Sequence, residues 1–168
     1  MTAIHAYKEH EYHLIATETA EKVVKVADIY GANASGKSNL CVAMEYFQRI
    51  ISESFNNIAE DEEMVIQECY APFSFEKEKE NSEFQIIEIL DGFEYKYGFE
   101  YNDRRIVNEW MYRKNLRTNR TAMILERVGN DVNLGASVRK ECDVYKGQIP
   151  PETLALSFFK KLKLKTDI

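Results

Sequence analysis

With 168 residues, 45% hydrophobic and 30% charged, the chain is long enough to bury one core and has the composition of an ordinary globular domain, which excludes a membrane-spanning or wholly disordered protein. Its net charge of -6, from 22 basic and 28 acidic residues, excludes a surface that grips nucleic acid everywhere and leaves room for a local basic patch only. Cys41, Cys69 and Cys142 are odd in number and lack CxxC spacing, so neither a disulfide framework nor a zinc ribbon is expected, and a reducing cytoplasm is the expected location.

The N-terminal stretch carries His5, His10 and His13 without a carboxylate or thiolate at ligand spacing, which reads as a solvated terminus and not a metal site. It lacks the apolar core of a signal peptide, and no run of about 18 apolar residues occurs anywhere. Residues 12–17 and 22–29 are short and rich in β-branched and aromatic residues, and the polar ETAE separates them; they predict two strands. From Lys37 the period changes: Leu40, Ala43, Met44, Phe47, Ile50, Ile51 and Phe55 recur at three- and four-residue steps, predicting a helix to about Ser54 with these residues on its buried face. Residues 57–82 form an acidic connector, broken at Pro72 and with room for one short strand.

Residues 83–135 carry the clearest β signal. FQIIEIL, Asp91-Gly92 and FEYKYGFEY read as strand, type I′ turn and strand, with Phe93, Tyr95, Tyr97, Phe99 and Tyr101 on one face. IVNEWMY, TAMILERV and VNL follow, separated by turn residues, so an antiparallel meander of four or five strands is expected. The final segment, 136–168, is helical by pattern; in PPETLALSFFKKLK the prolines suit a first helical turn, and Leu154, Phe158, Phe159 and Leu162 share a face.

One motif carries chemistry. Gly31-Ala32-Asn33-Ala34-Ser35-Gly36-Lys37-Ser38 satisfies GxxxxGK[ST], between an apolar strand and an amphipathic helix. Its glycines let backbone N–H groups converge on phosphate oxygens, and the helix adds its positive dipole end. Lys37 suits the β- and γ-phosphates, and the Ser38 hydroxyl suits the magnesium ion that bridges them.

GANASGKSN resembles the GPNGSGKSN loop of the RecF and SMC branch of ABC-type ATPases, departing at Ala32 and Ala34 and keeping Asn33, Ser35 and the trailing Asn39. The helix, the Pro72-Phe73 pair, the FEYKYGFEY hairpin and IVNEWMY resemble the ABC-like AAA-family ATPases allied to the overcoming-lysogenization-defect nucleases. The resemblance covers about residues 22–160 and is most specific at the loop. It implies an α/β fold, a P-loop strand-loop-helix joined to an antiparallel β-meander, as in the first lobe of an ABC-type ATPase head. It also implies ATP and Mg2+ as ligands of Gly31, Asn33, Ala34, Ser35, Gly36, Lys37, Ser38 and Asn39, with Ser38 on the metal, a dimer of ATPase heads, and a role in bacterial restriction or phage defence beside a nuclease.

The family's other parts lack convincing counterparts. IIEILDG at 86–92 reads better as a hairpin strand than as a Walker B strand, and NLGAS at 133–137 better as a strand end than as a signature sequence. Tyr30 reads as a strand-end tyrosine more readily than as an adenine contact. The expectation is a partial ATPase domain, with strands, loop and helix in 1–56, whose hydrolytic residues lie outside these 168.

Arg113, Lys114, Arg117 and Arg120, with Arg104-Arg105 a strand away, predict a basic end of the meander that suits nucleic-acid phosphates, although a solvated hairpin loop explains them as well. Two further readings stand beside the ATPase: a nucleic-acid or protein interaction module with a non-catalytic loop, and a small P-loop kinase, which the β-meander disfavours.

Overall fold

Alternation of apolar and polar residues is what a sheet with one covered face requires, and within residues 82–134 the stretch FEYKYGFEY meets it most clearly. The computed structural model describes residues 11–16, 22–55, 64–73, 75, 77 and 79–162. In it, β3 (Ser82–Leu90), β4 (Phe93–Tyr101), β5 (Ile106–Asn115), β6 (Arg120–Val128) and β7 (Asp131–Leu134) form one antiparallel sheet in sequential order. Asp91 and Gly92 take φ of 49° and 78°, the left-handed pair a two-residue turn needs between twisted strands. Their turn sets the register Leu90 to Phe93 through Ser82 to Tyr101.

The inner face of this sheet holds buried Tyr97, Phe99 and Tyr101. Helix α1 (Lys37–Glu53) lies on it, with Phe47 stacked on Phe99 at 5.8 Å and edge-on to Phe84 at 5.7 Å. Ile50, fully buried, joins the same core. A second cluster forms where α3 (Ala136–Cys142) and α4 (Ala155–Lys161) cover Ile124, Leu125, Val132 and Leu134, and Met111 packs against both clusters. A 3-10 turn over Asp143–Gln148 links the two helices. On the outer face the Trp110 indole lies over Gly98, where a Cβ would come within 2.5 Å of its ring.

Four expectations change. The strand predicted over 22–29 is β2 (Lys22–Val24), which among the described residues pairs with β1 (Leu14–Ala16) alone, the counterpart of the predicted 12–17 strand; residues 25–30 are irregular and exposed. Apolar composition favours a strand only where a neighbouring strand takes its hydrogen bonds. On α1, Phe47, Ile50 and Ile51 pack as predicted, but Leu40 is 43% and Met44 67% exposed, because the first half of the helix stands clear of the sheet. The short strand allowed in the connector is instead one helical turn, α2 (Val65–Glu68). Pro150 and Pro151 precede α4 and do not open it; their carbonyls accept from Thr153 N–H and Ile106 N–H.

His5 and His10, the acidic run 57–63, and residues 163–168 lie outside the described residues. Among the described residues no group of three or more His, Cys, Asp or Glu is placed to hold a metal ion, and no helix is long and apolar enough to cross a membrane.

Candidate functional site

The loop 31–36 turns through two left-handed residues, Ala34 at φ 62° and Gly36 at φ 86°. Gly36 is the N-cap of α1 and offers no side-chain acceptor; its carbonyl takes the Asn39 and Leu40 N–H groups at 3.0 and 3.3 Å. The N–H groups of Lys37 and Ser38, at the positive end of the helix, are therefore the ones an outside anion would meet. No acidic residue stands in the first turn to compete for them.

Lys37 curls back over the loop. Its Nζ donates to Gly31 O at 2.8 Å, Ala32 O at 2.6 Å and Ser35 Oγ at 3.3 Å. The loop is thus wrapped around one ammonium group. Gly31 permits the wrap, since a Cβ there would stand 2.6 Å from Ser35 Oγ. Residues 25–36, and Ser38 and Asn39, are exposed, so the cationic loop is open to solvent and to an anionic ligand. The donors suit a phosphate chemically: an ammonium, two N–H groups and a hydroxyl are supplied by consecutive residues at one helix N-terminus.

The remaining sequence candidates are placed as follows. Asn33 and Asn39 are exposed on either side of the lysine. Tyr30 is not a strand-end residue; it is 88% exposed in the irregular segment. IIEILDG forms the end of β3 and its turn, and NLGAS the end of β7 and the start of α3, which are the plain structural readings of both.

The basic residues do not gather on one face. Arg113 is half-buried, its guanidinium 5.0 Å over the Phe93 ring, whereas Lys114, its neighbour on β5, projects from the opposite face beside Glu94. Arg117 and Arg120 are exposed in the turn and at the start of β6. Arg104 and Arg105 sit at the other end of β5, with Arg105 donating to Asn130 Oδ1 at 2.9 Å, so the predicted continuity with Arg113–Arg120 is absent.

Sequence reasoning passed over Glu109 and Arg127, which read as surface charges in their strands. Both are buried, at 1% and 2% exposure, and they face each other across β5 and β6. Burial raises the Glu109 pKa, partly offset by hydrogen bonds from Leu156 and Ala155 and by Arg127; burial likewise lowers that of Arg127. The signal that finds them is register: once the hairpins are aligned, opposite charges fall on adjacent inward positions.

The family described as "AAA domain, putative AbiEii toxin, Type IV TA system" matches residues 27–157. No curated protein and no solved structure matches the chain.

Proposed function

Because the chain belongs to this family of AAA domains, related to P-loop ATPases, we propose that it binds ATP with Mg2+ through Gly31–Asn39, as part of an ABC-type ATPase of the RecF, SMC and overcoming-lysogenization-defect kind. The observation that carries the reading is the left-handed loop closed around Lys37 at the N-terminus of a 17-residue helix. In this reading Lys37 would exchange its loop carbonyls for the β- and γ-phosphates, the Lys37 and Ser38 N–H groups would hold phosphate oxygens, and the Ser38 hydroxyl would be a ligand for Mg2+, which would supply charge to neutralise the phosphates.

Hydrolysis needs a carboxylate to position water and a charge to stabilise the transition state. We assign these to a Walker B strand and a signature sequence supplied by a complete pair of ATPase heads, in which two copies enclose the nucleotides. We further propose work in restriction or phage defence with a nuclease as partner, which rests on the resemblance of the loop and hairpin sequences alone. The five-stranded meander that follows α1 disfavours a small kinase, whose strands and helices alternate. Arg113, Lys114, Arg117 and Arg120 are the residues proposed to meet nucleic acid if the ATPase acts on it; their split over two faces suits a contact at the tip of the hairpin.

Titration with ATP and Mg2+, repeated on Lys37→Ala, tests the reading. Saturable binding by the parent, weakened about 10- to 100-fold by loss of one charge-assisted contact set, supports it. Absence of binding by the parent overturns it.

A further inference from the structure

The buried charges on β5 and β6 grip one segment of chain from both sides. Glu109 Oε2 accepts the Ala155 N–H at 2.6 Å, and its Oε1 accepts the Leu156 N–H at 3.0 Å and the Tyr97 hydroxyl at 3.1 Å. Arg127 donates to Thr153 O at 2.6 Å, Pro150 O at 3.2 Å and Pro151 O at 3.3 Å. Residues 150–156 are therefore strapped to the sheet through their N–H groups by the acid and through their carbonyls by the base.

The strapped segment holds the far end of α1. Thr153 Oγ1 donates to Ser54 O at 2.9 Å, Leu154 N–H to Ser54 Oγ at 3.3 Å, and Ser157 Oγ to Ile51 O at 2.6 Å. Among the described residues the other end of the helix has no comparable support: Leu40, Val42 and Met44 are 43%, 39% and 67% exposed. A helix of 17 residues is about 25 Å long and stiff, so the direction of its first turn is set from its second half, where Phe47 and Ile50 pack on the sheet and the strap holds the last turn.

We propose that Glu109 and Arg127 are positioning residues for the phosphate loop, fixing the last turn of α1 to the sheet so that the rigid helix holds Gly36–Ser38 in place at its opposite end. Stability alone gives little reason for these two charges, because well-packed apolar side chains hold a fold as well as buried charged groups do. What a pair with seven directed hydrogen bonds to other groups adds is geometry. The inference rests on the phosphate-binding reading of Gly31–Asn39.

Two substitutions and two readouts test it. Glu109→Gln keeps the shape but replaces one acceptor oxygen by an amide NH2, and Thr153→Val removes only the hydroxyl's bond to Ser54 O, leaving that of Leu154 N–H to Ser54 Oγ. ATP·Mg2+ affinity is measured on each at a temperature well below its own melting point, together with amide hydrogen exchange at residues 37–44. The proposal predicts affinity weakened by roughly tenfold and faster exchange in 37–44 in folded Glu109→Gln, with a smaller change of the same sign in Thr153→Val. Folded variants with unchanged affinity and unchanged exchange overturn it. If Glu109→Gln does not fold, Thr153→Val decides. If the parent binds no ATP, the phosphate-binding reading fails separately, and exchange at 37–44 alone decides whether the strap orders the first turn.

Discussion

Two residues of the loop share the left-handed conformation and respond oppositely to substitution. Gly36, at φ 86°, suits it, and a Cβ there meets nothing within 4 Å, so Gly36→Ala changes conformational energy alone. Ala34, at φ 62°, already bears that cost. The left-handed penalty is about 1–2 kcal/mol for a residue with a Cβ, against about 0.5–1 kcal/mol of extra chain entropy lost by glycine. Gly36→Ala is accordingly expected to destabilise the loop by about 0.5–1 kcal/mol and Ala34→Gly to stabilise it by a similar amount, as read from ATP affinity and melting temperature; the same sign at both positions contradicts the described backbone. Glu109 supplies a prediction in pH. Its folded pKa is raised by burial above the unfolded value of about 4.3, so its contribution to stability is complete below that value and is lost as pH rises through the folded one. The stability of the parent relative to Glu109→Gln therefore falls as pH increases from about 4, which urea denaturation at several pH values checks; a relative stability that rises with pH refutes the direction. Gly36 and Lys37 were legible in the sequence because motif spacing marks them. Glu109 and Arg127 were not, because a charge in a strand reads as solvent-facing until its partner strand is aligned.

Among the elements, the meander was the most legible, because β4 alternates and three of the turns carry their own chemistry: Asp91-Gly92, Asn102-Asp103 and Gly129-Asn130 punctuate it in order. The stretch 22–29 was misread for the converse reason. Its composition is that of a buried strand, but a strand is defined by its neighbour, and only Lys22–Val24 finds one, in β1. The prolines before α4 misled similarly: a first-turn proline is a local rule, and here the tertiary strap from Arg127 uses the Pro150 and Pro151 carbonyls instead. The junction of β7 and α3 gives the sharpest test of element packing. A Cβ on Gly135 would lie 1.8 Å from Met123 O, a backbone atom held in β6. Gly135→Ala is expected to cost about 3 kcal/mol through displacement of the β6–β7 junction, seen in denaturant unfolding; a loss under 1 kcal/mol contradicts that packing.

On the scale of the whole molecule, two clusters of buried side chains meet at Met111, one under α1 and one under α3 and α4. Ile50, fully buried beneath α1, belongs to the first, and Ile50→Ala is expected to cost about 2–5 kcal/mol while a single unfolding transition is retained. Apolar surface concentrates elsewhere: Val26, Tyr30, Leu40 and Met44 around the loop, and Ile86, Ile87 and Leu90 on edge strand β3, are all exposed. An apolar edge strand without lysine or proline invites association, so Ile87→Lys is expected to lower light scattering at high concentration while changing stability by under about 0.5 kcal/mol. The central claim remains that this molecule meets phosphate at one place. Backbone amide chemical shifts of the chain, recorded by NMR as ATP and Mg2+ are added, test it most directly: the account predicts saturable shifts concentrated at Gly31–Asn39 and lost in Lys37→Ala, and shifts absent there, or centred on the Arg113–Arg120 hairpin instead, contradict it.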